Sequence, residues 1–143
     1  MIDRNLYIER IIKRYLDLNK QDYAEGLINS EVKSSCDKSA ENFKAILDKL
    51  TDGELASFYA LDKRIQIKVF SWDSACNQSI YAGQEAVKQV LSIVNRDMNK
   101  TGYGEIPAVE KIMSIHESNL YRFVTAKYEV LPNDCAVYHF NNN

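Results

Sequence analysis

Arg64–Met98, RIQIKVFSWDSACNQSIYAGQEAVKQVLSIVNRDM, is the stretch on which the reading of the fold turns. Its first nine residues alternate, with Ile65, Ile67 and Val69 on one side and Gln66 and Lys68 on the other, the period of a β-strand. The phase flips at Val69–Phe70, so that Phe70 and Trp72 become the apolar set. A strand keeps one face buried through such a flip only with a bulge or a change of surroundings. Arg64–Trp72 is therefore read as a strand that enters half-exposed and ends buried on both sides. Asp73–Ser79 comes next as loop. Beyond Gly83 lies the best amphipathic helix of the chain, with Val87, Val90, Leu91, Val94 and Met98 on its stripe. Glu85 falls in its first turn and Arg96 and Lys100 near its last, signs that suit the helix dipole.

Upstream the pattern is helical. Ile8, Ile11, Ile12, Tyr15 and Leu16 have the spacing of an amphipathic helix, with Asp3 as its N-cap and Glu9–Lys13 as a favourable i,i+4 pair. Asn19–Asp22 is expected to interrupt it. Tyr23, Leu27 and Ile28 suggest a short second helix weakened by Gly26, and Asn29–Lys38 reads as a polar loop. A third helix spans about Ser39–Leu50, with Phe43, Ile46, Leu47 and Leu50 on one face. Thr51 and Glu54 then form a T-x-x-E capping box, flanked by Leu50 and Leu55 as a hydrophobic staple. Leu55, Phe58 and Tyr59 carry the next apolar face.

Downstream, Gly102 and Gly104 stop the long helix. Pro107–Ser118 admits two readings. Val109, Ile112, Met113 and His116 suit a helix with Pro107 in its first turn, but the strand is preferred because it would pair with the segment after it. That segment, Tyr121–Val130, is aromatic and β-branched, a strand composition. Leu131–Asp134 has turn chemistry, and Cys135–Phe140 would return as a hairpin partner. The expected architecture is α+β: a single domain over 1–143, with a helical part at 1–62 and a strand–helix–sheet part at 63–140. In it, an antiparallel C-terminal sheet packs on the long helix.

A chain of 143 residues, 45% hydrophobic and 27% charged, suits one soluble core. Its net charge of −2 and pI near 5.7 argue against a general binder of nucleic-acid backbone. No apolar run of about 18 residues occurs, so no membrane span is expected. Charges at Glu9, Arg10, Lys13 and Arg14 break the apolar middle that a signal peptide needs. Cys36, Cys76 and Cys135 have neither zinc-ligand nor redox-motif spacing. Reduced cysteines in a cytoplasmic protein are the expectation.

Candidate chemistry is sparse. His116 and His139 lack the H-x-H or H-E-x-x-H spacing of a metal site, and no metal or cofactor is expected. Cys76 has no local feature that would activate its thiol. Gly102-Tyr103-Gly104 comes after a helix rather than a strand, and reads as a helix stop instead of a phosphate loop. Of the nine tyrosines, Tyr103, Tyr121, Tyr128 and Tyr138 gather in the second half. Tyrosine suits recognition surfaces, pockets and half-buried strands alike.

Phe70, Trp72 and Asp73 at the strand end, with Tyr81, Gly83, Glu85, Ala86 and Val87 opening the helix, resemble the SnoaL-like and nuclear-transport-factor-like proteins. That resemblance implies a curved sheet wrapped around a long helix to make a cone-shaped pocket, and an isomerase, dehydratase or small-ligand carrier. Trp72, Asp73, Tyr81 and His116 would line the cone, with Asp73 or His116 as general base. Composition points elsewhere, and this second reading is preferred. A small acidic domain rich in tyrosine, without an acid–base constellation, fits a non-catalytic inhibitor or immunity protein. Such a protein covers the active site of a toxin, typically a nuclease, with acidic groups facing a basic cleft. Trp72, Asp73, Tyr81, Tyr103, Tyr121 and Tyr138 are its candidate contacts, together with Glu110, Glu117, Glu129 and Asp134.

Overall fold

The computed structural model describes the backbone of residues 3–127 and the side chains of residues 3–120. Over that span the chain is helical throughout: α1 (Arg4–Ala24), α2 (Ser30–Asp48), α3 (Asp52–Tyr59), α4 (Lys63–Ser79), α5 (Gln84–Thr101) and α6 (Pro107–Lys127). Short 3-10 turns at Ile80–Ala82 and Tyr103–Glu105 lead into α5 and α6. The described residues contain no strand, so the expected α+β class is overturned: over those residues the protein is all-α. Among them the sheet of the SnoaL-like cone is absent as well.

The decisive error lies in Arg64–Ser79, which is α4 rather than strand and loop. Its buried residues are Gln66, Val69, Phe70, Trp72, Asp73, Ser74, Cys76 and Ser79, a helical stripe half of which is polar. Ile65 and Ile67, which supplied the alternation, are only half-buried. The flip at Val69–Phe70 is two neighbouring residues sharing one broad helix face, both fully buried. Asp62 caps the helix, its carboxylate accepting from Arg64 N at 2.7 Å.

Five further expectations fall for related reasons. Asn19–Asp22 does not interrupt α1, because Asn19 is buried and donates to Asp37 Oδ1 on α2 at 3.2 Å. The supposed loop at Asn29–Lys38 opens α2, where Asn29 caps by accepting from Val32 N at 2.8 Å. The supposed short helix around Tyr23–Ile28 is instead the last residues of α1, to Ala24, and the turn into α2, with Gly26 left-handed at φ 75°. Pro107–Ser118 is helix, and α6 carries on through Tyr121 to Lys127, which replaces most of the strand expected at Tyr121–Val130. Positions 128–140, including the turn and hairpin return, lie outside the described residues. The capping box stands as read, with Thr51 and Glu54 each accepting from the other's backbone N–H, at 3.1 and 2.9 Å. Lys13 pairs with Asp17 at 2.6 Å instead of with the expected Glu9.

One hydrophobic cluster joins all six helices. At its centre Phe70 of α4 meets Phe43 of α2 edge-on, with ring centroids 4.7 Å apart, and Tyr15 of α1 stacks on it at the same distance. Each such ring contributes roughly 1.5–3 kcal/mol by leaving water. Gln66 ties α3 to α4: its Nε2 reaches the Phe58, Tyr59 and Leu61 carbonyls at 2.9–3.2 Å, while its Oε1 accepts from Arg14 at 2.7 Å. Phe58 O also accepts from Leu61 N, but the Tyr59 and Leu61 carbonyls at the C-terminal end of α3 depend on this amide. No described helix is long and apolar enough to cross a membrane.

Candidate functional site

A polar seam runs through this apolar interior, and α4 supplies most of it. Asp73, Ser74 and Asn77 fall on successive turns of its inward face, so helical spacing delivers a carboxylate, a hydroxyl and an amide to one side. Gln78 Nε2 donates to Ser74 Oγ at 2.8 Å and to Cys36 Sγ of α2 at 3.2 Å. Tyr15 of α1 directs its hydroxyl into the same cluster, where burial pushes its phenol pKa well above the usual range. Cys36 and Cys76 are free thiols, the latter fully buried.

The seam ends in a buried ion pair. His116 of α6 places Nδ1 2.8 Å from Asp73 Oδ1, and Asn77 Nδ2 donates to the other carboxylate oxygen at 3.1 Å. Both partners are almost completely buried. The Nδ1 contact is close without being a well-directed hydrogen bond, so charge more than bond direction holds it. Burial opposes charge on the imidazole, but the Asp73 carboxylate outweighs it and Cys76 adds to the effect. The His116 pKa rises to about 10. At neutral pH the ring is therefore a cation and a donor, not a general base. Its Nε2 has no hydrogen-bond partner among the described residues. Glu117, half-buried next to it, is raised by desolvation and partly restored by the His116 charge.

His116 lies on the wall of a cleft of about 580 Å³ formed by α2, α4 and α6. Hydroxyls of Ser35 and Ser39 and amides of Asn42, Asn77, Gln78 and Asn119 supply most of its polar lining. Ile46, Ile80 and Leu120 supply apolar wall, and Tyr81 stands at the edge with 78% of its surface exposed. Hydroxyl and amide groups both donate and accept, so this lining can hydrogen-bond a backbone or a polar small molecule.

The residues singled out in the sequence divide between two faces. His116 and Tyr81 line the cleft, and Asp73 stands behind the His116 ring without reaching the lining. Trp72 points the other way, donating from Nε1 to Asp97 Oδ2 of α5 at 2.6 Å and packing near Tyr103. That bond and Lys68, 3.0 Å away, hold the Asp97 carboxyl below its usual range. Glu110 is exposed on α6 and Glu117 half-buried one face-repeat later. Tyr121 lies on α6 with its side chain outside the described residues, as are Glu129, Asp134, Tyr138 and His139 altogether. The α2 contribution to the cleft was missed, since Ser35, Lys38 and Ser39 sat in or beside a supposed loop. Its signal was the N-S-E-V start at Asn29. Among the described residues no group of His, Cys, Asp and Glu could hold a metal ion. Comparisons with protein-family models, with curated proteins and with solved structures returned no match.

Proposed function

We propose that the chain is a non-catalytic protein-recognition domain of the inhibitor or immunity class, acting in the cytoplasm on a toxin whose active site it covers. The observation that carries this reading is the α2/α4/α6 cleft. Hydroxyls and amides line it, a highly exposed Tyr81 stands at its edge, and the adjoining acid–base pair is held in its charged form. Tyrosine at the margin of a polar hollow is a recurring anchor in protein recognition. Glu110 and Glu117, seven residues apart on α6, add carboxylates on one helical face toward a basic partner such as a nuclease.

The test is isothermal titration of the full chain against the product of the adjacent gene. A saturable 1:1 complex, weakened by Tyr81→Ala, supports the reading. Absence of binding at tens of micromolar, or a complex indifferent to Tyr81, overturns it. The cleft volume also falls within the range of small-molecule pockets, roughly 300–1,000 Å³, which favours a ligand carrier as the second reading. Saturable binding of a small polar ligand in the cleft, with no protein complex, would select it.

A further inference from the structure

The cleft between α2, α4 and α6 is charged differently from the molecule around it. The chain carries a formal net charge of −2, yet Lys38 and His116 line the cleft and, among the described residues, no Asp or Glu does. Asp73 sits behind the His116 ring and cancels one of those two positive charges. What remains facing a guest is a single net positive charge, shared between an exposed ammonium and a buried imidazolium.

His116 supplies a second, independent sign. The residue is 3% exposed, it lines the cleft, and Nε2 has no acceptor among the described residues. A buried donor left unpaired is costly, and a native protein that keeps one calls for an acceptor from elsewhere. The neighbouring Asn77 already gives its Nδ2 hydrogen bond to Asp73, and Gln78 gives its own to Ser74 and Cys36. The α4 amides are thereby fixed in orientation before any guest arrives, which lowers the ordering cost of binding.

We infer that the cleft is a binding site for a carboxylate group, received by His116 Nε2–H and the Lys38 ammonium. One net positive charge matches a singly charged acid, whereas a phosphate dianion would leave a negative charge uncompensated against a low-dielectric wall. The carboxylate comes either from an Asp or Glu side chain of a protein partner or from a free small organic acid. The first source rests on the protein-recognition reading above; the chemistry of the site does not.

The experiment is nitrogen NMR of the full chain labelled in histidine, with His139→Gln assigning the two imidazoles. The probes are N-acetylglutamate methylamide, its glutamine counterpart and propionate. The capped glutamate is expected to shift the His116 ring nitrogens saturably, and the glutamine counterpart to bind about tenfold more weakly, since a charge-assisted hydrogen bond is lost. Lys38→Gln, a change at an exposed site that leaves the core untouched, is expected to weaken the capped glutamate by about three- to tenfold. Propionate binding as tightly as the capped glutamate identifies a free acid as the guest; tight binding of the capped glutamate alone identifies a protein side chain. No saturable shift, equal affinity for the glutamine counterpart, or full affinity in Lys38→Gln overturns the inference. A protein partner that binds wild type and Lys38→Gln equally also removes this inference, and leaves the protein-recognition reading standing. Carboxylate binding without any protein complex does the reverse.

Discussion

Replacing His116 with Gln strands the Asp73 carboxylate, which is 0% exposed, opposite a neutral amide. Removing one partner of a buried ion pair costs about 3–5 kcal/mol, chiefly through the charge left behind. The pair also makes stability depend on pH in a direction that can be worked out. An unfolded histidine titrates near 6.5, while folded His116 is raised to about 10. Its contribution is therefore complete below pH 6.5 and is lost as pH rises toward 10. At 1.36 kcal/mol per pH unit, that window holds at most on the order of 5 kcal/mol. Tyrosines and lysines titrate near its upper end, so the reference is the double variant Asp73→Asn/His116→Gln, in which neither group ionises. Urea denaturation followed by emission of Trp72, the one tryptophan, gives the stability of both proteins from pH 6 to 10. The wild-type advantage over the double variant is expected to be greatest at pH 6 and to shrink steadily above pH 7. A difference constant to within about 1 kcal/mol across the range would refute the charged-pair reasoning.

Gln66→Leu removes the donor that serves the Phe58, Tyr59 and Leu61 carbonyls, and a loss of about 2–4 kcal/mol is expected in the same assay. An effect below about 0.5 kcal/mol would mean that those carbonyls find water without cost. Asp97→Asn weakens the bond from Trp72 Nε1; because the folded Asp97 pKa is depressed, its stabilisation is present above the unfolded carboxylate range and fades as pH falls through the folded value. Wild type and Asp97→Asn should therefore converge in urea midpoint on acidification, and a gap that widened toward low pH would reverse the sign. Thr51→Ala removes the capping box of α3 and is expected to cost about 1 kcal/mol, with amide exchange accelerated at Glu54 and not in α5.

How far each helix could be read from the sequence depends on how purely it writes its pattern. The stripe of α1, the capping box at Thr51, and Val87, Leu91 and Val94 of α5 bury apolar side chains at helical spacing, and these were readable. In α4 the buried face carries Gln66, Asp73, Ser74 and Ser79, so a hydropathy pattern misses it, while half-buried Ile65 and Ile67 imitate a strand. Asp73 and Ser74 belong to the seam, and Asn77 and Gln78 of the same helix wall the cleft. The fold was thus misread at the place where the candidate site is made. Asp62 and Asn29, both helix caps, were the local signals that could have corrected the reading. Asp73 and His116 were each singled out as ionisable groups near a pocket, but their pairing depends on α6 crossing α4, which no short motif encodes. Lys38 and the hydroxyls of α2 became visible only once Asn29–Lys38 proved to be helix.

On the function proposed above, the α2/α4/α6 cleft is the face through which this protein acts. Its most direct test places an arginine in the cleft at Asn42, and another at exposed Ser92 on α5. Both variants are titrated calorimetrically against the product of the adjacent gene. The expected result is at least a tenfold loss of affinity for Asn42→Arg, a change of about 1.4 kcal/mol or more, with Ser92→Arg unchanged. Equal affinity for the two variants, or a loss confined to Ser92→Arg, would contradict it.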